Sequence, residues 1–97
     1  MNNRLYVLIR RDLTIGQQAV QAGHAVAEWL LHDPHTWKNE FLIYLGVDSK
    51  DELAFWGDKL KRKGIHWTAF KEPDLNHETT AIATVCDRKI FQNLKLL

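Results

Sequence analysis

LYVLIRRDLTIGQQAVQAGHA, Leu5 to Ala25, reads as a short apolar strand, an Arg-Arg-Asp-Leu turn, a capping signal and a helix rich in small residues that carries one histidine. Leu5 to Ile9 is continuously apolar, as a strand is when both faces of its sheet are covered. Thr14 is placed to cap the helix, with Gln17 at the third helical position completing a capping box. At about 100° per residue, His24 shares a polar stripe with Gln17, Gln21 and Glu28. Ala19, Val20, Ala22, Gly23, Val26, Ala27, Trp29 and Leu30 cover the opposite arc, which is expected to be the core face.

Working outward, the helix is expected to end near His32, because Asp33 precedes Pro34 and is pushed away from helical angles. Phe41 to Val47 is a second buried strand. Ser49 to Glu52 is a second capping box, opening a helix with Leu53, Trp56 and Leu60 on one face and a stop at Gly64. Ile65 to Phe70 reads as a third strand, cut off by Glu72-Pro73, and Thr79 to Cys86 as a fourth. Residues 87–97 read as a short helix or tail. This order predicts one α/β domain over residues 1–97, with three layers: a mixed four-stranded sheet and helices on both faces.

With 97 residues, 45% of them hydrophobic and 26% charged, the chain can bury a core without staples, and no second domain fits. Its 13 Lys+Arg against 12 Asp+Glu argue against the broad positive coat of a nonspecific nucleic-acid binder. The single cysteine, Cys86, cannot form an internal disulfide, which favours a reducing compartment, read as the cytoplasm. No stretch has the length or apolarity of a membrane span, so no membrane partner is expected.

Ligands in such sheets usually meet the carboxyl ends of strands, here Arg10 to Gly16, Val47 to Asp48 and Lys71 to Asp74. His24 is the leading candidate, since imidazole exchanges protons near neutral pH and Glu28 lies one turn on; a solvated histidine beside a helical glutamate is the plainer alternative. Arg10, Arg11 and Asp12 could meet an anion at the helix start, or simply pair with one another and cap the turn. Glu72 and Asp74 supply two carboxylates after a strand, and Thr79 and Thr80 bring hydroxyls nearby. Lys59, Lys61, Arg62 and Lys63 could meet a phosphate backbone, but they also lie at a helix C-terminus, where cations complement the dipole, and that is the plainer reading. His32-Asp33-Pro34-His35 lacks a third ligand, so no metal is expected. Trp29 and Trp56 fall on core arcs, and Trp37 has no evident role.

Leu8-Ile9-Arg10-Arg11-Asp12-Leu13, followed by Gly16 and Gln21-Ala22-Gly23-His24-Ala25, resembles the opening of the type II peptidyl-tRNA hydrolases, whose strand ends in Arg-x-Asp-Leu and whose helix carries Gly-Lys-x-x-x-Gln-x-x-His-Ala. The resemblance extends loosely over the whole chain. It implies that family's fold and hydrolysis of the ester between a peptide and tRNA, without a cofactor. It makes His24, Glu72 and Thr80 the counterparts of the family's active-site histidine, aspartate and threonine. Gln17 stands where the family has its catalytic lysine, and a neutral amide in place of a cation can cost about 10² to 10³ in rate. Two readings follow. Either His24 activates water while Gln17 donates a hydrogen bond and Glu72 orients the assembly, with Arg10, Arg11, Asp12, Gln21 and Asp74 binding, or the chain binds RNA or a protein without hydrolysis. The resemblance also makes a homodimer plausible.

Overall fold

The structure is a computed structural model that describes residues 3–97. It contains β1 (Arg4–Arg10), α1 (Ile15–His32), β2 (Phe41–Val47), α2 (Lys50–Arg62), β3 (Thr68–Glu72) and β4 (Glu78–Val85), with 3-10 turns at Pro73–Leu75 and Arg88–Phe91. The sheet order is β2-β1-β4-β3. β1 pairs parallel with β2 and antiparallel with β4, and β3 pairs antiparallel with β4. β1, β2 and β3 therefore run in one direction, and their carboxyl ends share one edge of the molecule. That common edge carries the Arg10 turn and the Glu72 turn.

Capping chemistry sets the helix starts. The Thr14 side chain accepts from Gln17 N at 3.2 Å, and Gln17 Oε1 accepts from Thr14 N at 3.0 Å, so two otherwise unpaired amides are satisfied reciprocally. The second cap differs from the expected box. Ser49 accepts from Glu52 N, but the Glu52 carboxylate takes the amide of Asp48 instead of that of Ser49. α2 ends two residues before Gly64, whose φ of +71° favours glycine.

Each helix covers one sheet face. α1 closes a core of Leu5, Val7, Ile9, Ala81 and Ala83 with Ala22, Ala25 and Trp29, joined by Trp37. α2 closes the other with Tyr6, Leu8, Leu45, Val47 and Ile82 against Leu53, Trp56 and Leu60, with Phe91 added from the C-terminal turn. Trp37, unexplained by sequence, is a buried plug whose indole N–H donates to Phe41 O at 2.9 Å. The last residues return to the sheet: Leu96 bridges Leu45, and Gly46 N donates to Lys95 O. Lys59, Lys61 and Arg62 occupy the last turn of α2, with the Lys59 ammonium 4.8 Å from the Trp56 ring centroid.

Two expectations are corrected. β3 begins at Thr68 and runs through Glu72, because the strand continues up to the proline instead of stopping at Phe70. More important, α1 is rotated from its expected seating. Its buried side chains are Gln21, Ala22, Ala25 and Trp29, while Val20 is 56% exposed and Ala19, Gly23 and Ala27 face outward. The apolar residues of α1 span too wide an arc for one face, and the sheet takes only the part centred between Ala22 and Ala25. Trp29, 2% exposed, anchors that seating. Trp29→Ala should lower unfolding free energy by about 3–5 kcal/mol, the usual cost of emptying a large aromatic site, measured by urea titration followed by circular dichroism.

Candidate functional site

The bulge in the β3–β4 pair shapes the site. Phe70 pairs with Ala81 and Lys71 with Thr79, so Thr80 is the extra residue on β4. A bulge turns a side chain that simple alternation would send elsewhere. Here the fully buried Thr80 hydroxyl donates to Gln21 Oε1 at 2.6 Å, across the interface between β4 and α1. Gln21 is 3% exposed, so each partner's polar group finds its bond away from water.

One turn further along α1, the His24 ring lies flat on Phe70 of β3, with centroids 4.3 Å apart and planes 3° from parallel. His24 remains exposed, but its ring plane is fixed by the strand. Glu28, one turn beyond His24, turns the other way: its Oε2 lies 3.1 Å from Nδ1 of His32. Phe70 is thus the orienting residue that sequence reasoning missed, and the signal available was its position two residues before Glu72 at the end of an edge strand.

Gly16, Gln17, Val20 and Gln21 of α1 face Glu72, Asp74 and Leu75 across a cleft of about 350 Å³, whose lining does not include His24. The turn that carries the carboxylates is pinned by His77 N donating to Glu72 O at 2.9 Å, with Asn76 and His77 both in left-handed backbone. Gln17 enters the cleft with its amide oxygen already engaged by Thr14 N, leaving the amide nitrogen as its donor. The lining contains two carboxylates and no cation.

Arg10, Arg11 and Asp12 separate. Arg10, 7% exposed, donates to both Asp12 oxygens at 2.9 and 2.8 Å, to Glu78 at 2.8 Å and to Thr79 O at 3.3 Å. These bonds, that to Asp12 foremost, raise the guanidinium pKa further above its already basic value. Its hydrogen bonds hold the Asp12 and Glu78 carboxyls below their ordinary range. The cluster sets one cation against two carboxylates, a net charge of −1, and so is not open to an anion. Arg11 leaves altogether: its guanidinium packs over Gly46 and donates to Leu96 O at 2.5 Å, on the β2 side of the molecule. It does so because Gly46 offers no Cβ.

The sequence candidates thus fall into groups. Gln17, Gln21, Glu72 and Asp74 share a cleft, Thr80 holds Gln21 from β4, His24 lies outside the cleft lining on Phe70, Arg10 and Asp12 form an ion cluster with Glu78, and Arg11 stands apart. Among the described residues, no three His, Cys, Asp or Glu side chains converge as a metal-ion set would. Burial pushes the Cys86 thiol up to about 12, so it stays protonated and unreactive near neutral pH. Among the described residues, no helix is long and apolar enough to cross a membrane.

Two outcomes test this geometry. Thr80→Val strands the Gln21 carbonyl in the core and should cost about 1–3 kcal/mol, whereas Thr80→Val with Gln21→Leu should recover most of that loss, since removing both partners leaves nothing unpaired; a double-mutant cycle in urea reads the coupling. The depressed Asp12 and Glu78 carboxyls contribute stability that is complete above the ordinary carboxyl range and is lost as pH falls through their lowered values. Arg10→Met should therefore flatten the acid limb of melting temperature against pH, leaving the neutral region less stable and the most acidic points nearly unchanged.

No family model and no curated protein matches the chain. Among solved structures it is similar to a protein of unknown function, Atu0240 from Agrobacterium tumefaciens strain C58, with a TM-score of 0.76 at 12% identity, covering 100% of this chain and 98% of that one. At that identity the likeness is one of fold: a single compact α/β domain with a mixed four-stranded sheet and two helices.

Proposed function

We propose that the protein hydrolyses the ester between a peptide, or an N-blocked amino acid, and tRNA, in the manner of the type II peptidyl-tRNA hydrolases that its α1 sequence resembles. The observation that carries this reading is the His24 ring stacked on Phe70, one helical turn from Gln21 in a cleft that also holds Gln17 and Glu72. His24 takes a proton from water as the water oxygen attacks the ester carbonyl. The Gln17 amide nitrogen donates to the oxygen on which negative charge develops. Glu72 orients the water or the ester, the carbonyl carbon–ribose oxygen bond breaks, and the proton passes to the ribose oxygen. The products are a free peptide carboxylate and tRNA with a free 3′ hydroxyl. Thr80 acts through Gln21, and no cofactor enters. The setting that fits this substrate is the cytoplasm.

A second reading is favoured by one specific observation: the cleft has two carboxylates and no cation, and Arg10 is already occupied. A site of that kind suits binding of RNA bases or a protein partner without turnover better than it suits a phosphate backbone.

Incubation with N-blocked aminoacyl-tRNA separates the two. Under the hydrolase reading wild type releases the blocked amino acid and His24→Ala slows release by about 10²- to 10⁴-fold. An inert wild type together with turnover by Gln17→Lys assigns the chain to the binding class. Gln17→Lys should also lose about 0.5–1 kcal/mol of stability, because lysine cannot accept the Thr14 amide. A gel-shift titration across salt identifies RNA as the ligand if affinity falls steeply with ionic strength.

A further inference from the structure

On the sheet face opposite the cleft, a groove runs between α2 and β3. Trp67, Ala69 and Lys71 alternate with Thr68 and Phe70, so they face α2 while Phe70 meets His24 on the other side. Across from them α2 presents Leu53, Ala54 and Gly57 at helical spacing, and with Ile82 of β4 as part of the floor the groove encloses about 300 Å³. That volume is the lower end of the range in which proteins hold small molecules.

Two features shape the groove. Gly57 is buried in the middle of α2, where glycine weakens a helix relative to alanine, and a Cβ there would stand 3.1 Å from the Trp67 ring. The missing side chain lets the indole lie against the helix as one end wall. Trp29, Trp37 and Trp56 are buried in the two cores, whereas Trp67 stays partly exposed. The second feature is the β4 bulge. Unbroken alternation from Ile82 would send Thr79 to the α1 side, but the extra residue Thr80 takes that side and Thr79 lines the groove. One irregularity thus delivers a hydroxyl to each face of the sheet.

Charge is divided along the groove. α2 runs opposite to β3, so Lys50 in its first turn and Lys71 near the end of β3 share one end with Thr79. Asp58 lies further down α2, about 12 Å along the helix axis from Lys50, at the Trp67 end. Among the described residues neither lysine joins an ion pair. Glu78 feels the charge of Lys50, but its hydrogen bond goes to Arg10. One end of the groove therefore keeps cationic donors for an incoming anion, its middle is apolar, and the acid at the far end repels a second negative charge.

We propose that this groove binds a small monocarboxylic acid with an apolar or aromatic body. The carboxylate accepts from the ammonium groups of Lys50 and Lys71 and from the Thr79 hydroxyl, and the body lies along Ala54 and Ala69 toward Trp67. A dicarboxylate brings its second charge toward Asp58, and an inorganic anion gains nothing from the apolar floor, so both are disfavoured. None of these residues belongs to the hydrolytic groups, and either proposal can fail without the other.

Amide and indole NMR of the whole chain gives the test, with hydrocinnamate as probe and hydrocinnamamide, glutarate and inorganic phosphate as comparisons. Hydrocinnamate should shift the signals of Ala54, Gly57, Ala69 and the Trp67 indole and saturate with a Kd below about 1 mM, as ligands of that size reach in a fitting site. The other three should bind about 5-fold more weakly or worse. Lys50→Met with Lys71→Met, both at exposed positions, should abolish the preference for acid over amide and leave the amide's affinity within about 2-fold. Ala54→Phe, at an exposed helix position, should fill the groove and weaken hydrocinnamate by about 10-fold or more without lowering the melting temperature. No shifts at these residues with about 10 mM hydrocinnamate, equal affinity of wild type for acid and amide, an acid preference that survives loss of both lysines, or binding indifferent to Ala54→Phe would overturn the proposal.

Discussion

The hydrogen bond from Thr80 to Gln21 fixes how α1 sits on the sheet, and the rest of the molecule's surface follows from that seating. Two neutral polar groups meet 2.6 Å apart inside an otherwise apolar layer. Turning the helix by one residue would carry Gln21 towards solvent and leave the buried Thr80 hydroxyl without this partner, at a cost of about 1–3 kcal/mol. Trp29 holds the same rotation from the apolar side, although the small and branched residues of α1 would pack on either of two arcs. The polar pair breaks that degeneracy. It lays His24 on Phe70, aims Gln17 at the carboxylates of the Glu72 turn, and sends Val20 and Leu31 into solvent.

Much of this was legible in the chain, and the parts that were not share a cause. Element starts and stops are written locally, in Thr14 with Gln17 and in Asp33-Pro34, and the observed α1 bounds agree with them. β2 likewise runs over the apolar stretch expected of it. The convergence of α1 with the acidic turn followed from topology, since β1 and β3 run the same way and end at one edge. The rotation of α1 was not legible, because it depends on a bulge that places Thr80 beneath Gln21, and a bulge is a property of two strands rather than of one. Arg11 was misplaced for a similar reason. Its destination is set by the missing side chain of Gly46, distant in sequence, and not by its neighbours Arg10 and Asp12.

Electrostatics narrows what the cleft can do. Three of the charges nearest the first turn, those of Arg10, Asp12 and Glu78, are consumed in a mutual cluster that ties the end of β1 to the start of β4. The remaining charged groups at the cleft are the carboxylates of Glu72 and Asp74. A substrate or partner approaching here meets amide donors, an imidazole and negative charge. That combination suits a neutral carbonyl or an amine-bearing group near His24 better than an unshielded phosphate, so any RNA backbone must be held by surfaces beyond this cleft.

Gln17 shows how one residue serves folding and chemistry at once. At the third position of α1 it returns its carbonyl to the Thr14 amide and keeps its nitrogen for the cleft. A lysine at the same place would bring a full positive charge toward Glu72 and Asp74, but it has no acceptor to give the cap. The chain therefore has a firmly capped helix and a neutral donor in the cleft. The stability of the α1 entrance and the electrophilic strength of the cleft are set against each other at one side chain, and this sequence has resolved the conflict in favour of the cap.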